Sequence, residues 1–265
     1  MRPVTQHVSR WSHNLEDKAG IIRRSDVIGL VRRLATTCPT LVVVVLATAA
    51  ASSGRDSASV LLGRSVDGRP IEAVRVGDAS GPRVLVVGCI HGDECAGMAI
   101  TRALEHARTN ADLWIVPDLN PDGYAHDTRP NARGVDLNAN WSSGWQPGGR
   151  PGDFYYPGPR PFSEPETRIA RNLIERLHPS LTVWFHQHMN LVWAWGPSSA
   201  EGRRYARLSG MRFYHHPWLT GTAANWQNHH SPGAAAFTVE LPAGSLAPVQ
   251  VSRQLHALLT LSARP

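Results

Sequence analysis

Residues 83–96 read RVLVVGCIHGDECA, and this stretch decides the class of fold. Residues 83–90 form an almost unbroken apolar run, which is typical of a strand covered on both faces of a parallel sheet. Residues 96–108 then show the spacing of a helix. His91 and Glu94 lie three positions apart where the strand gives way to the helix. Because open α/β sheets bind ligands at the carboxyl ends of their strands, this stretch predicts a polar site there.

The rest of the chain repeats this alternation of strand and helix. Strands are predicted at 60–62, 71–76, 113–119, 181–185 and 235–241, and further helices at 164–178, 201–209 and 247–261. The pattern predicts the α/β class: a single domain with a mixed, mostly parallel sheet flanked by helices. Residues 120–161 are rich in Gly, Pro and Asn without clear periodicity, and a loop of this length is usually functional.

The chain divides into an N-terminal leader, residues 1–53, and a domain that we expect over residues 54–265. Residues 1–35 hold seven basic and three acidic side chains, which accounts for four of the six net positive charges. No basic stripe interleaved with aromatic residues appears in the expected domain. The basic pI of about 9.8 therefore does not indicate a nucleic-acid partner.

Residues 41–51 (LVVVVLATAAA) suit the hydrophobic region of a signal peptide. Eleven residues fall short of the ~20 that span a bilayer, so no stable membrane span is expected. A buried strand or an uncleaved anchor is the alternative interpretation. Export predicts a location in the cell envelope or outside the cell, where Cys89 and Cys95 either form a disulfide or remain two buried thiols.

A metal site is predicted from residues at two strand ends. Zinc accepts imidazole nitrogen and carboxylate oxygen, and catalytic zinc sites use three protein ligands. His91 and Glu94 supply two donors, and His186, which follows the strand at 181–185, supplies the third. His188 is an alternative ligand. The prediction is one zinc ion held by His91, Glu94 and His186.

Glu240 is the candidate general base for such a centre. It lies in the apolar strand sequence FTVELP, where a carboxylate is costly to bury unless it meets a cation or works at a site. A water-activating hydrolase needs a carboxylate or another base to accept the proton from water. A surface glutamate paired with an arginine is the alternative.

Several stretches together resemble the zinc carboxypeptidase family, in particular its bacterial murein peptide amidases. They are GCIHGDE at 88–94, NPDG at 120–123, TRPNARGVDLN at 128–138, FHQ at 185–187 and FTVELP at 237–242, in the order of the family. The resemblance implies the three metal ligands named above and Glu240 as general base and acid. It also implies Arg129 as the cation that stabilises the oxyanion, and Asp136 as the partner that orients His91.

The resemblance implies a substrate site as well, with one departure. Asn138 is expected to help hold a terminal carboxylate of the substrate. The family usually places an arginine next, as a bidentate partner of that carboxylate, but this chain has Ala139. Arg133 and Arg150 are candidate replacements. Trp226 is a further substrate-binding candidate, because it lies in 221–232, where the family has a substrate-covering loop.

The predicted function is a zinc-dependent metallopeptidase or amidase that hydrolyses an amide bond in small, cell-wall-derived peptides, including murein peptides. One alternative is an N-acyl amino acid deacylase of the related desuccinylase and aspartoacylase type. The absence of an arginine at Ala139 motivates a third hypothesis, a non-catalytic cell-wall peptide-binding protein.

Overall fold

One mixed sheet carries two cores, one on each face. The computed structural model describes residues 58–263, and its central strand β3 (Arg83–Val87) alternates between these cores. Val84 and Val86 pack into one core, and Leu85 and Val87 pack into the other. This alternation explains the continuous apolar run, because neither face of the strand meets water.

The described residues contain seven strands and six α-helices. The strands are β1 (Ala58–Arg64), β2 (Pro70–Gly77), β3, β4 (Asp112–Val116), β5 (Leu181–Ala194), β6 (Arg212–His215) and β7 (Ala235–Pro242). The helices are α1 (Gly97–Leu104), α2 (Pro121–His126), α3 (Pro165–Leu177), α4 (Ser199–Ser209), α5 (Ala223–His230) and α6 (Pro248–Ser262). The predicted mixed α/β fold with flanking helices is confirmed.

The order of the strands brings the ends of β3 and β5 together. The sheet runs β1-β2-β4-β3-β5-β6, with β7 also paired to β5. The β1–β2 and β2–β4 pairs are antiparallel, whereas β3 is parallel to both β4 and β5. Since β3 and β5 run in the same direction side by side, the turns that follow them meet at one edge of the sheet.

Strand β5 extends far beyond the predicted end at residue 185. Its first half pairs with β7 from Leu181 opposite Ala235 to His188 opposite Pro242. The register then reverses, from Leu191 opposite Glu240 to Trp193 opposite Thr238, so the chain turns around the end of β7. Asn190 has a positive φ of 52° at this turn. The sequence did not predict this extension, because His186–Asn190 interrupts the apolar pattern.

Several further elements were not predicted from the sequence. Helix α5 occupies most of the stretch that was expected to be a covering loop, and the short strand β6 joins the sheet beside the second half of β5. The long segment 120–161 also contains α2 and a 3-10 turn at Leu137–Ala139.

The predicted leader lies outside the described residues, as does its signal sequence. Among the helices of residues 58–263, none combines the length and the apolar character needed to cross a membrane.

Candidate metal centre

Three donor atoms converge at the meeting point of β3 and β5. His91 Nδ1 lies 3.0 Å from Glu94 Oε2, and His186 Nδ1 lies 3.2 Å from both of these atoms. Around a tetrahedral zinc ion, with bonds of about 2.0–2.2 Å, neighbouring donors are separated by roughly 3.3 Å. The triangle therefore fits a zinc ion without a change in fold.

The turn after β3 holds the first two donors in place. Gly92 in this turn packs directly against the backbone of Gly123, where an added Cβ would lie only 1.9 Å from the Gly123 carbonyl carbon. A disulfide joins Cys89 and Cys95 and closes the turn around His91 and Glu94. The structure thus contains the disulfide that the sequence left undecided.

Asp136 fixes the orientation of His91. Its Oδ1 lies 2.9 Å from His91 Nε2, and both side chains are almost fully buried. When the imidazole donates its Nε2–H to this carboxylate, Nδ1 keeps its lone pair for a metal. The structure brings Asp136 to the position that the resemblance implied.

The electrostatic field at the triangle favours a cation. Burial by itself would lower the pKa of His91, but Asp136 and Glu94 outweigh it and raise that pKa to about 9. Burial would raise the pKa of Glu94, but His186 and His91 hold it well below its usual range. The carboxylates that attract a proton to the imidazole equally attract a metal ion in its place.

Glu240 lies beside the donor triangle. It stands directly opposite His186 in the β5–β7 register and is only 9% exposed. Its Oε2 atom is buried without a hydrogen-bond partner among the described residues. Burial raises the pKa of Glu240. The nearby His186 opposes this rise, and the negative charge of Glu94 adds to it. A raised pKa and a free oxygen suit a group that accepts and returns a proton.

Arg129 also lines the cavity and is held by several contacts. Its Nη1 donates to Glu94 Oε1, its Nη2 lies 3.1 Å from Asp136 Oδ2, and its Nε donates to the Phe154 carbonyl at 3.2 Å. The Phe154 ring faces the guanidinium at 4.2 Å, a cation–π distance. The guanidinium therefore lies beside the donor triangle in a fixed orientation.

Asn138 and Gln187 complete the centre. Asn138 lines the cavity, with its Nδ2 3.5 Å from His186 Nε2 and its Oδ1 accepting the Ala223 N–H at 3.0 Å. Gln187 was not identified as a site residue, yet its N–H donates to Glu94 Oε2 at 3.2 Å and its Oε1 accepts the Ala96 N–H. Its place directly after His186 was the only signal in the sequence.

Two predicted substrate residues lie elsewhere. Arg133 points out of the cavity toward Glu164, at 3.6 Å, and its side chain is 55% exposed. Trp226 is 3% exposed and packs against Trp141 in the core, because α5 turns it inward. Neither residue is among the described residues that line the cavity, so their roles in substrate binding remain predictions that this arrangement does not support.

A cavity of about 700 Å³ opens beside the donor triangle. Its lining includes all three donor residues and Glu240, together with His188 and the aromatic side chains Trp145, Phe154, Tyr155, Trp193 and Trp218. His188 is exposed and lies outside the donor triangle formed by His91, Glu94 and His186. The volume is that of a small-ligand site with a polar centre and largely apolar walls.

A mixed α/β sheet with a His-Glu-His donor set at its strand ends defines an α/β protein with a candidate metal centre. The sequence profile of the zinc carboxypeptidase family (Peptidase_M14) matches residues 43–211, and the chain belongs to this family of hydrolases. Zinc as the cofactor is confirmed by this membership together with the donor triangle. Glu240 lies beyond the matched segment, so its place at the centre comes from the register with β5.

Individual relatives carry both peptidase and amidase names. The chain is 34% identical to murein peptide amidase A of Escherichia coli (strain K12), over 49% of this chain and 59% of the relative. It is 29% identical to carboxypeptidase B of Astacus astacus, over 52% and 57% respectively. The chain thus matches less than three-fifths of the length of these relatives.

Solved structures share the fold. A murein-tripeptide amidase from Escherichia coli O157 aligns with a TM-score of 0.62 and 24% identity, covering 78% of this chain and 92% of the other. The carboxypeptidase A of Helicoverpa armigera aligns with a TM-score of 0.67 and 21% identity, covering 79% and 68%.

Proposed function

We propose that this chain is a zinc-dependent amidase or peptidase that hydrolyses an amide bond in small, cell-wall-derived peptides. The observation that carries the proposal is the buried, unpartnered Oε2 of Glu240 beside three zinc donors. The free-energy cost of burying an unpaired carboxylate oxygen is typical of a residue that takes part in binding or catalysis. A protein that only binds a peptide would not need a buried carboxylate that can accept a proton.

The reaction follows from the positions of the side chains. His91, Glu94 and His186 would hold a zinc ion, which would supply Lewis acidity to polarise a carbonyl oxygen and to acidify water. Glu240 accepts a proton from the attacking water as the new C–O bond forms. The Arg129 guanidinium faces the same space and stabilises the negative charge that develops on the carbonyl oxygen. Glu240 then passes its proton to the amide nitrogen as the C–N bond breaks.

The substrate class rests on the relatives and on the cavity. A protein that is 34% identical over half of this chain bears the name murein peptide amidase. The cavity volume of about 700 Å³ accommodates a short peptide rather than a folded chain.

The experiment is hydrolysis of murein tripeptide, both as the free acid and as the C-terminal carboxamide, by the purified full chain with measured zinc content. We expect about one zinc ion per chain and release of the terminal residue. Glu240→Gln should keep its zinc and lose about a hundredfold to ten-thousandfold in kcat, because the proton acceptor is removed. Glu175→Gln, an exposed glutamate on α3, is the matched control and should behave like wild type. Equal activity of both variants would refute the role of Glu240, and no turnover of any peptide would refute the function.

We further propose that the protein is exported. The support is residues 41–51, which fit the hydrophobic region of a signal peptide. Fractionation of the native host, followed by N-terminal sequencing of the recovered protein, tests this. An unprocessed chain confined to the cytoplasm would contradict it.

A further inference from the structure

The charges that line the cavity set a limit on the group that can bind there. Three carboxylates, those of Glu94, Asp136 and Glu240, face the cavity. Arg129 is the only lysine or arginine among the described lining residues. With a zinc dication in place, the formal charge of these groups comes to zero. The cavity would therefore offer no net electrostatic attraction to an additional negative charge on the ligand.

The one guanidinium is already engaged. Arg129 donates to Glu94, Asp136 and the Phe154 carbonyl, and the Phe154 ring covers one face. In the proposed reaction the remaining capacity of Arg129 serves the carbonyl oxygen. It is not free to hold a second anionic group farther along the cavity.

The segment that could hold such a group is uncharged. Ala139 follows Asn138 on the cavity wall and presents only a methyl group. Trp145, Trp218 and Leu219 form other parts of the wall, and Asn138 offers a neutral amide. Arg133, the nearest predicted replacement, is turned toward Glu164 outside the cavity. A carboxylate placed against this wall would lose hydration without gaining an ionic partner.

We propose that the enzyme selects peptides whose carboxylate next to the cleaved bond is blocked, either as a carboxamide or by a further residue. The proposal rests on the proposed function, since it specifies the substrate of the same centre. A neutral amide can hydrogen-bond to the Asn138 side chain and needs no ionic partner, while the apolar atoms of the ligand pack against the tryptophans. A free carboxylate at the same place does not.

The test is calorimetric binding of two peptides to zinc-loaded full-length Glu240→Gln, which should bind without turnover. The peptides are murein tripeptide with a free carboxylate at its terminal diaminopimelate, next to the cleaved bond, and the same peptide with that group as a carboxamide. We expect the carboxamide to bind more tightly. Tighter binding of the free acid, or no binding of either peptide, would overturn the inference.

The wall itself is tested by substitutions at Ala139. Ala139→Arg, in the Glu240→Gln background, should improve affinity for the free acid by tenfold or more relative to the carboxamide. Ala139→Met adds a side chain of similar reach without charge and should leave the preference unchanged. Equal effects of both variants would contradict the electrostatic argument. Wild-type turnover is measured separately, so intact carboxamide selectivity without hydrolysis would refute the proposed function and not this inference.

Discussion

At the scale of the residue, His186 and His188 differ in function although they lie two positions apart. His186 is buried, and its Nδ1 belongs to the donor triangle, whereas His188 is exposed on the cavity wall. We expect His186→Ala to reduce zinc affinity by at least a hundredfold, because one of three protein ligands is lost. His188→Ala should retain affinity within a few-fold. Competition with a chelator measures both, and the reverse order would make His188 the ligand.

Phe154 shows how an exposed side chain can position Arg129, the proposed oxyanion-stabilising cation. Its ring is 59% exposed, yet it covers the guanidinium of Arg129 at 4.2 Å. Phe154→Leu keeps the backbone carbonyl that accepts from Arg129 and removes the ring. We expect kcat to fall about five- to tenfold with unchanged zinc content, in line with the loss of a cation–π contact of about 1 kcal/mol. Phe154→Tyr, which retains the aromatic face, should restore kcat, and equal losses in both variants would contradict this role.

At the scale of the element, the turn after β3 is closed by a disulfide. Cys89 and Cys95 are six positions apart, and a crosslink of this span restricts the unfolded chain by about 2 kcal/mol. We expect Cys89→Ser/Cys95→Ser to melt at a lower temperature by several degrees. A dithiol reductant should lower the melting temperature of the wild type similarly and leave the double variant unchanged. An equal effect of reductant on both proteins would show that the crosslink is not the cause.

The segment after β4 carries a half-buried carboxylate that makes stability depend on pH. Burial raises the pKa of Asp118 from 3.8 to about 7, the Asn120 N–H opposes this shift, and the charge of Asp122 adds to it. Between these two values the folded state keeps a proton that the unfolded chain has released. The free energy of unfolding must therefore fall as the pH rises through this window, and the loss is complete above pH 7.

Asp118→Asn tests this effect, because the amide oxygen can still accept the Asn120 N–H. We expect the variant to be more stable than wild type by up to about 4 kcal/mol at pH 8, and little changed near pH 4. Urea denaturation at several pH values measures the difference. Asp153→Asn, at an exposed loop carboxylate, is the control and should follow the wild type. An unchanged pH slope in Asp118→Asn would assign the effect to another group.

At the scale of the whole molecule, the metal joins parts of the chain that are distant in sequence. His91 and Glu94 follow β3, and His186 lies 92 positions beyond Glu94 on β5. A ligand that binds only the folded state stabilises it by mass action. We expect zinc at a hundred times its Kd to raise the free energy of unfolding by about 2.7 kcal/mol. Thermal melts of chelator-treated protein with and without added zinc measure this, and His186→Ala should show little shift.

The sequence predicted the metal donors and the central strands because both depend on local patterns. The apolar run at 83–90 and the His-Glu spacing each lie within a few residues. The return of β5 along β7 depends on distant pairing, and the exposed His188–Asn190 stretch gave no sign that the strand continued. The positions of Trp226 and Arg133 away from the cavity could not be predicted for the same reason: the turn of α5 and the position of Glu164 decide where these side chains point.

The donor residues and Glu240 lie on β5 and β7 or in the turn after β3. Apart from Trp193 on β5, the aromatic wall lies on the connecting segments around Trp145, Tyr155 and Trp218. The sheet and the turns at its strand ends therefore carry the residues of the metal centre, and the connecting segments carry most of the residues that would select the substrate. During evolution these connecting segments can therefore change in sequence and length while the donor triangle and Glu240 stay in place. Proteins descended from one ancestor should then diverge much faster in substrate specificity than in reaction type.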